Sequence, residues 1–223
     1  MSGFPVLALL LWGTVAGLDL ASVLQGLFNR PLVAGAVAGV ILGDASSGLS
    51  IGAVLELFAL DVLPVGASRY PDYGAATVAA VALGAGQPWG AALGPAVLLG
   101  LLLAQLGGWT IVAQRRVTAW ALRRAAPALD RGDPGVATRL HLLGLGTDLL
   151  RSAGLAALGL SAVAVAARGP RFDVSTGHAL TVVTIAGGFV ALIGGALRRA
   201  GTLRRMVWLA GGLAIGVLGL ALR

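Results

Sequence analysis

The sequence is divided into apolar runs, and the lengths of those runs constrain its fold more than any other feature. Crossing the ~30 Å hydrocarbon layer of a bilayer takes about 20 apolar residues in a helix. Residues 4–27, 91–113, 140–166 and 179–197 reach that length, and 205–222 comes close. The runs 31–43, 48–60 and 74–86 stop at about 13 residues, bounded by Pro31, Gly43-Asp44, Pro64, Pro71 and Gln87-Pro88. Such a chain reads as all-α, a polytopic integral membrane protein with transmembrane helices plus re-entrant or broken half-helices. The freed backbone groups of half-helices survive at membrane depth only when buried in protein or lining a cavity. A substrate pathway is therefore expected within residues 31–90. One long helix over 31–60, kinked at Gly43-Asp44, is the competing reading; Gly-Asp-Ala-Ser-Ser-Gly at 43–48 is turn chemistry and favours a break.

Composition closes off the soluble alternatives. Hydrophobic residues make up 57% of the 223 and charged ones only 11%, against roughly a quarter charged in a soluble domain. The chain has no Cys, which removes disulfide scaffolds, Cys zinc sites and Cys nucleophiles. Its 16 basic residues are all Arg, and their placement decides what the net charge of +7 means. Arg115, Arg116, Arg123, Arg124, Arg131 and Arg139 surround a polar linker at 114–139, and Arg198, Arg199, Arg204 and Arg205 fill a second. That is the pattern of cytoplasmic loops, not of a nucleic-acid platform, which would interleave aromatics with the charge. Residues 117–126 could form a short interfacial helix within the first linker. The first run lacks a basic leader and a cleavage site, so it is expected to be retained as a helix. Residues 1–223 are expected to form a single membrane domain.

Ionisable groups at membrane depth are costly and are functional candidates by default. Asp19, Asp44, Glu56, Asp61, Asp72 and Asp148 lie in or beside apolar runs, four of them between residues 44 and 72. Glu56, the sole Glu, is set among apolar residues and suits either hydrogen bonding within the pathway or a polar clamp between helices. Glu56 and Asp61 are about 140° apart around a helix, so they share a face only if the helix breaks between them. Arg69 and Asp72 are spaced to pair. Enzyme signatures are missing: the chain has no Lys for a phosphate loop and no His-Glu-x-x-His, and His141 and His178 lack neighbouring metal ligands. No catalytic residue, metal site or cofactor is expected.

The ordered set Asn29-Arg30-Pro31-Leu32, Gly39-Val40-Ile41-Leu42-Gly43-Asp44, Gly52 with Leu55-Glu56, and Gly66-Ala67 with Pro71-Asp72 resembles one family. This is the IIC subunit of the mannose-fructose-sorbose class of the bacterial phosphoenolpyruvate-dependent sugar phosphotransferase system. The resemblance continues more faintly through His141 and Arg151 to Ile185-Ala186-Gly187-Gly188. It implies an inner-membrane, multi-pass permease, assembled as an oligomer and working with a IID subunit. Such a permease passes a hexose inward for phosphorylation by soluble IIA and IIB proteins. It also implies a sugar site in an unwound polar region of a mobile core. Carried over by motif, Glu56, Gly66, Ala67 and Asp72 would line or support that site, with Asp61 beside it. The chain has Asp61 where the family usually has Gly, and Pro64 where it often has Asn. A stand-alone secondary transporter and a non-transporting scaffold for phosphotransfer proteins are the competing functions.

Overall fold

The computed structural model describes residues 3–23, 25–62, 68–169 and 173–200, with Val207, Gly211 and Gly212 beyond them. Among the described residues there are seven helices and no strand. They are α1 (Gly3–Leu18), α2 (Pro31–Leu42), α3 (Ala45–Ala59), α4 (Tyr73–Gly84), α5 (Trp89–Asp130), α6 (Pro134–Ala166) and α7 (Val174–Ala200). Gly90–Asp130, Pro134–Ala166 and Val174–Ala196 are long and apolar enough to cross a membrane.

The break expected at Gly43-Asp44 is present. Gly43 adopts φ +74°, a left-handed conformation that ends α2, and the Asp44 carboxylate caps α3 by accepting from Ser47 N–H at 3.1 Å. At 1.5 Å per residue α2 spans about 18 Å, roughly half of what a crossing requires. The two helices pack as a hairpin through glycine. A Cβ on Gly48 would lie 2.4 Å from the Gly35 carbonyl, and one on Gly39 2.7 Å from the Asp44 carbonyl. Small residues thus let the two backbones touch, as membrane helix pairs require.

Helix α4 forms the centre. Ten of its residues, Tyr73 to Val81 and Gly84, are buried, and α1, α2, α3, α5 and α6 all pack on it. The interior is built from small side chains such as Ala76, Ala79 and Ala80, whereas Leu102, Leu150, Val182 and Val190 face outward. Large apolar residues outside and small ones inside suit lipid surroundings, where dispersion contacts between closely approaching backbones hold helices together. Helices α5 and α7 are stitched at Thr181, whose Oγ1 accepts from Gly94 N–H at 3.0 Å and lies 2.9 Å from the Gly90 carbonyl.

Three expectations are corrected. Run 4–27 is not one spanning helix: α1 ends at Leu18, because the Asp19 carboxylate captures the backbone N–H groups of Gly26 and Asn29 and draws 25–29 back to the end of the helix. The stretch 114–130 is not a loop but the continuation of α5, rich in the good helix formers Ala, Leu and Arg. The reversal is confined to 131–133, after which Pro134 opens α6 under an Asp133 cap. Arg69 and Asp72 do not pair, since Arg69 stacks 4.3 Å from the Trp109 ring centroid and Asp72 turns inward. The run 205–222, Arg204 and Arg205 lie outside the described residues, apart from the three isolated positions named above.

Candidate functional site

The loop that follows α1 is organised by one carboxylate. Asp19 Oδ1 accepts from Gly26 N–H at 2.6 Å and Oδ2 from Asn29 N–H at 3.0 Å. Gln25 and Leu27 are held at φ +46° and +70°, a conformation that side chains with a Cβ rarely adopt. Strain of this kind persists where the surroundings over-determine it, which is common at ligand sites. Trp12 fixes the loop further, donating to the Ala34 carbonyl at 2.9 Å and meeting Phe28 edge to face.

Asn29 and Arg30, adjacent at the end of this loop, are each held by one of the predicted carboxylates. The Asn29 amide donates to Asp72 Oδ1 at 3.0 Å and lies 3.2 Å from the Ala16 carbonyl. The Arg30 guanidinium pairs with Glu56 Oε1. Glu56 Oε2 also accepts from Leu32 N–H at 3.2 Å, supplying the cap that α2 lacks from its own N-cap residue. Of the two readings of Glu56, the clamp between α2 and α3 is the one its contacts describe.

Asp72 is fully buried, and its second oxygen accepts from Arg151 Nη1 at 2.6 Å. The same guanidinium donates through Nε to Asp148 at 2.8 Å and through Nη2 to the Gly17 carbonyl at 3.1 Å. Ser22 donates to the other oxygen of Asp148. One arginine therefore joins α1, α4 and α6 around two buried carboxylates. Such an array is costly to desolvate, and it is tolerated because nearly every donor and acceptor is satisfied.

Between these layers lies a cleft of about 430 Å³, lined by Asp19, Gln25, Asn29, Arg30, Tyr70 and Tyr73 among apolar neighbours. Tyr70 is positioned by Arg115, whose Nη2 lies 2.7 Å from its hydroxyl. Volume and lining are those of a small-molecule site, apolar walls with a few convergent polar groups.

The predicted site residues divide. Glu56 and Asp72 stand one layer behind the cleft, each gripping a residue that lines it. Asp61, just past α3, is within electrostatic reach of Tyr73. Gly66 and Ala67 lie outside the described residues. Sequence reasoning underweighted Asn29 and Arg30, although both opened the first motif, and it passed over Gln25, Tyr70 and Tyr73. Nothing in the spacing of those three marks them, because the cleft is formed by segments about 45 residues apart. Arg151 carried no weight as a partner of Asp72 for the same reason.

Short helices in hairpin, a small-residue interior and a polar cleft define an integral membrane protein with broken helices around a ligand-sized opening. A family model described as the sorbose-specific IIC component of the PTS system matches residues 4–218, and the chain belongs to this family. It is 30% identical over 210 residues to the sorbose-specific EIIC component of Klebsiella pneumoniae, covering 88% of this chain and 73% of that protein. It is 30% identical to the fructose permease IIC component of Bacillus subtilis over 68% of this chain and 55% of that protein. With the mannose-specific EIIC component of Escherichia coli K12 the identity is 31%, over 56% and 47%. The chain thus spans about half the length of the latter two. Among solved structures, a chain described as a membrane protein superposes with a TM-score of 0.71, and one from the mannose transporter ManYZ in complex with microcin E492 with 0.62. Each is 23% identical and covers 100% of this chain and 94% of that one, which shows a shared fold. The protein is a IIC membrane component of a mannose/sorbose-type phosphotransferase system.

Proposed function

We propose that the chain passes a hexose inward across the bacterial inner membrane, together with a IID partner, for phosphorylation by soluble IIA and IIB proteins. The cleft at the ends of α1, α2, α3 and α4 carries this reading. Its amide, phenol and guanidinium groups can exchange hydrogen bonds with sugar hydroxyls, while its apolar walls accept the ring. Arg30 is paired with Glu56 and Asp72 with Arg151, and the Asp19 carboxylate is held by the N–H groups of Gly26 and Asn29, so the charged groups at the cleft are already engaged, which suits an uncharged hexose. A stand-alone ion-coupled transporter would draw on an open carboxylate; Glu56, Asp72 and Asp148 are engaged by arginines, and Asp19 in the cleft by two backbone N–H groups. The basic stretch 114–139 is assigned to the cytoplasmic side by its arginines.

The test is sugar binding by the purified complex containing the IID partner, with mannose, fructose and sorbose as probes. Glu56→Gln frees Arg30 and removes a charge-assisted bond worth about 1.5–3 kcal/mol. That bond lies behind the cleft, so affinity should fall through the disturbed placement of Arg30, and Asp72→Asn, which loosens Asn29, should weaken binding likewise. Wild-type affinity for every sugar in both variants would dismiss the site. A wild-type complex that binds none of the three would favour the scaffold function instead.

A further inference from the structure

The hydrogen-bond inventory of Asn29 carries an inference that rests on reading the cleft as the sugar pathway and goes further into it. A side-chain amide has two N–H donors and one carbonyl acceptor. Here Nδ2 lies 3.0 Å from Asp72 Oδ1 and 3.2 Å from the Ala16 carbonyl, so both donors are committed to the protein. The opposite orientation of the amide would set its oxygen against a carboxylate and a carbonyl, with no proton between them. Asp72 cannot relent, since Arg151 holds its other oxygen at 2.6 Å and both side chains are buried. Even the space is reserved. A Cβ on Gly74 would lie 2.8 Å from Asn29 Nδ2 and 2.5 Å from the Ala16 carbonyl, so glycine at the start of α4 is what admits the amide. Asn29 nevertheless lines the cleft, and the only part of its amide left for a ligand is the carbonyl oxygen.

We infer that Asn29 is a specificity-determining residue whose side-chain oxygen accepts from one hydroxyl of the sugar, and that Asp72 and Arg151 are positioning residues fixing that orientation. The arrangement rewards a hydroxyl donor at one position of the sugar ring and gives nothing to an analogue lacking it. Neither Glu56 nor Arg30 can replace Asn29 in this, because their polar groups are spent largely on each other and on the N-terminus of α2.

The experiment measures binding of the best-bound hexose and of each of its monodeoxy analogues to the complex with its IID partner. The proteins compared are wild type, Asn29→Ala, Asn29→Ser and Asp72→Asn, each at a temperature below its own melting transition. One deoxy analogue should bind wild type about two- to tenfold more weakly than the parent sugar, on the scale of a single neutral hydrogen bond. In Asn29→Ala that difference should vanish, parent and analogue binding alike, while the penalties for the other analogues persist. Asn29→Ser gives the same reading should the alanine variant fail to fold. Asp72→Asn, which frees the Asn29 amide to turn, should flatten the same difference without a substitution in the cleft. A general structural loss would weaken all sugars in proportion and leave the pattern of penalties intact, and that result overturns the inference. An unchanged pattern in Asp72→Asn alone would remove the positioning role while leaving Asn29. Failure of the wild-type complex to bind any hexose overturns the transport function and this inference with it, and is recognisable before any variant is made.

Discussion

Replacing Arg151 by Met keeps an unbranched apolar stem and removes the guanidinium from a place where two carboxylates converge. The Nη1 bond to Asp72 at 2.6 Å and the Nε bond to Asp148 at 2.8 Å are charge-assisted and almost fully enclosed. Each such bond is worth about 1.5–3 kcal/mol. Removing one partner of a buried pair costs about 3–5 kcal/mol, because the charge left behind has neither water nor counter-ion. The scales agree, and for a chain of this size the loss corresponds to a melting temperature lower by about 6–20 °C. Thermal unfolding in detergent micelles, followed by fluorescence of the five tryptophans, reads this directly. Arg151→Lys should fall between the two, since an ammonium carries the charge but cannot fork to both carboxylates. Adding Asp148→Asn to Arg151→Met removes one stranded charge and should recover part of the loss. If Arg151→Met melts within about 2 °C of wild type, or the second substitution recovers nothing, the buried network does not hold α1, α4 and α6 together.

Gly48→Ala should prevent close seating of the α2–α3 hairpin, because its Cβ would sit 2.4 Å from the Gly35 carbonyl; the expected cost is about 1–3 kcal/mol, read by the same melting assay. Gly43→Ala meets open space but keeps φ +74°, so it should cost only about 1–2 kcal/mol and leave sugar binding unchanged. Asp173 lies outside the spanning segments, and bonds from Ser175 and Thr176 at the head of α7 hold its carboxyl at about 2 instead of 3.8. The folded value is the lower one, so its contribution is complete above pH 3.8 and is lost as the pH falls towards about 2. Asp173→Asn should therefore flatten that part of the acid stability curve and leave stability near neutrality pH-independent. A cysteine replacing Ala125 in this Cys-free chain should react with a membrane-impermeant maleimide only from the cytoplasmic side; reaction from outside would overturn the orientation assigned to α5 and α6.

How far the sequence reaches depends on the range of the interaction. Apolar run length and turn chemistry are local, so the helical membrane fold, the short elements between Pro31 and Gln87 and the reversal at Gly43-Asp44 could all be read directly from the residues. Motif order likewise identified the family. Two boundaries escaped because another effect overrode hydropathy: a carboxylate at Asp19 stopped α1 within an apolar run, and helix propensity carried α5 through about five turns of polar linker up to Asp130. The site depended on tertiary structure more heavily still. Glu56 and Asp72 were visible as expensive charges in an apolar setting, yet a burial cost says only that a partner must exist, not which one. Their partners are Arg30, 26 residues away, and Arg151, 79 residues away. Hydrogen bonding is directional and short in reach, so only the packing of α1, α4 and α6 could assign Arg151 to Asp72 and turn the Asn29 amide towards it.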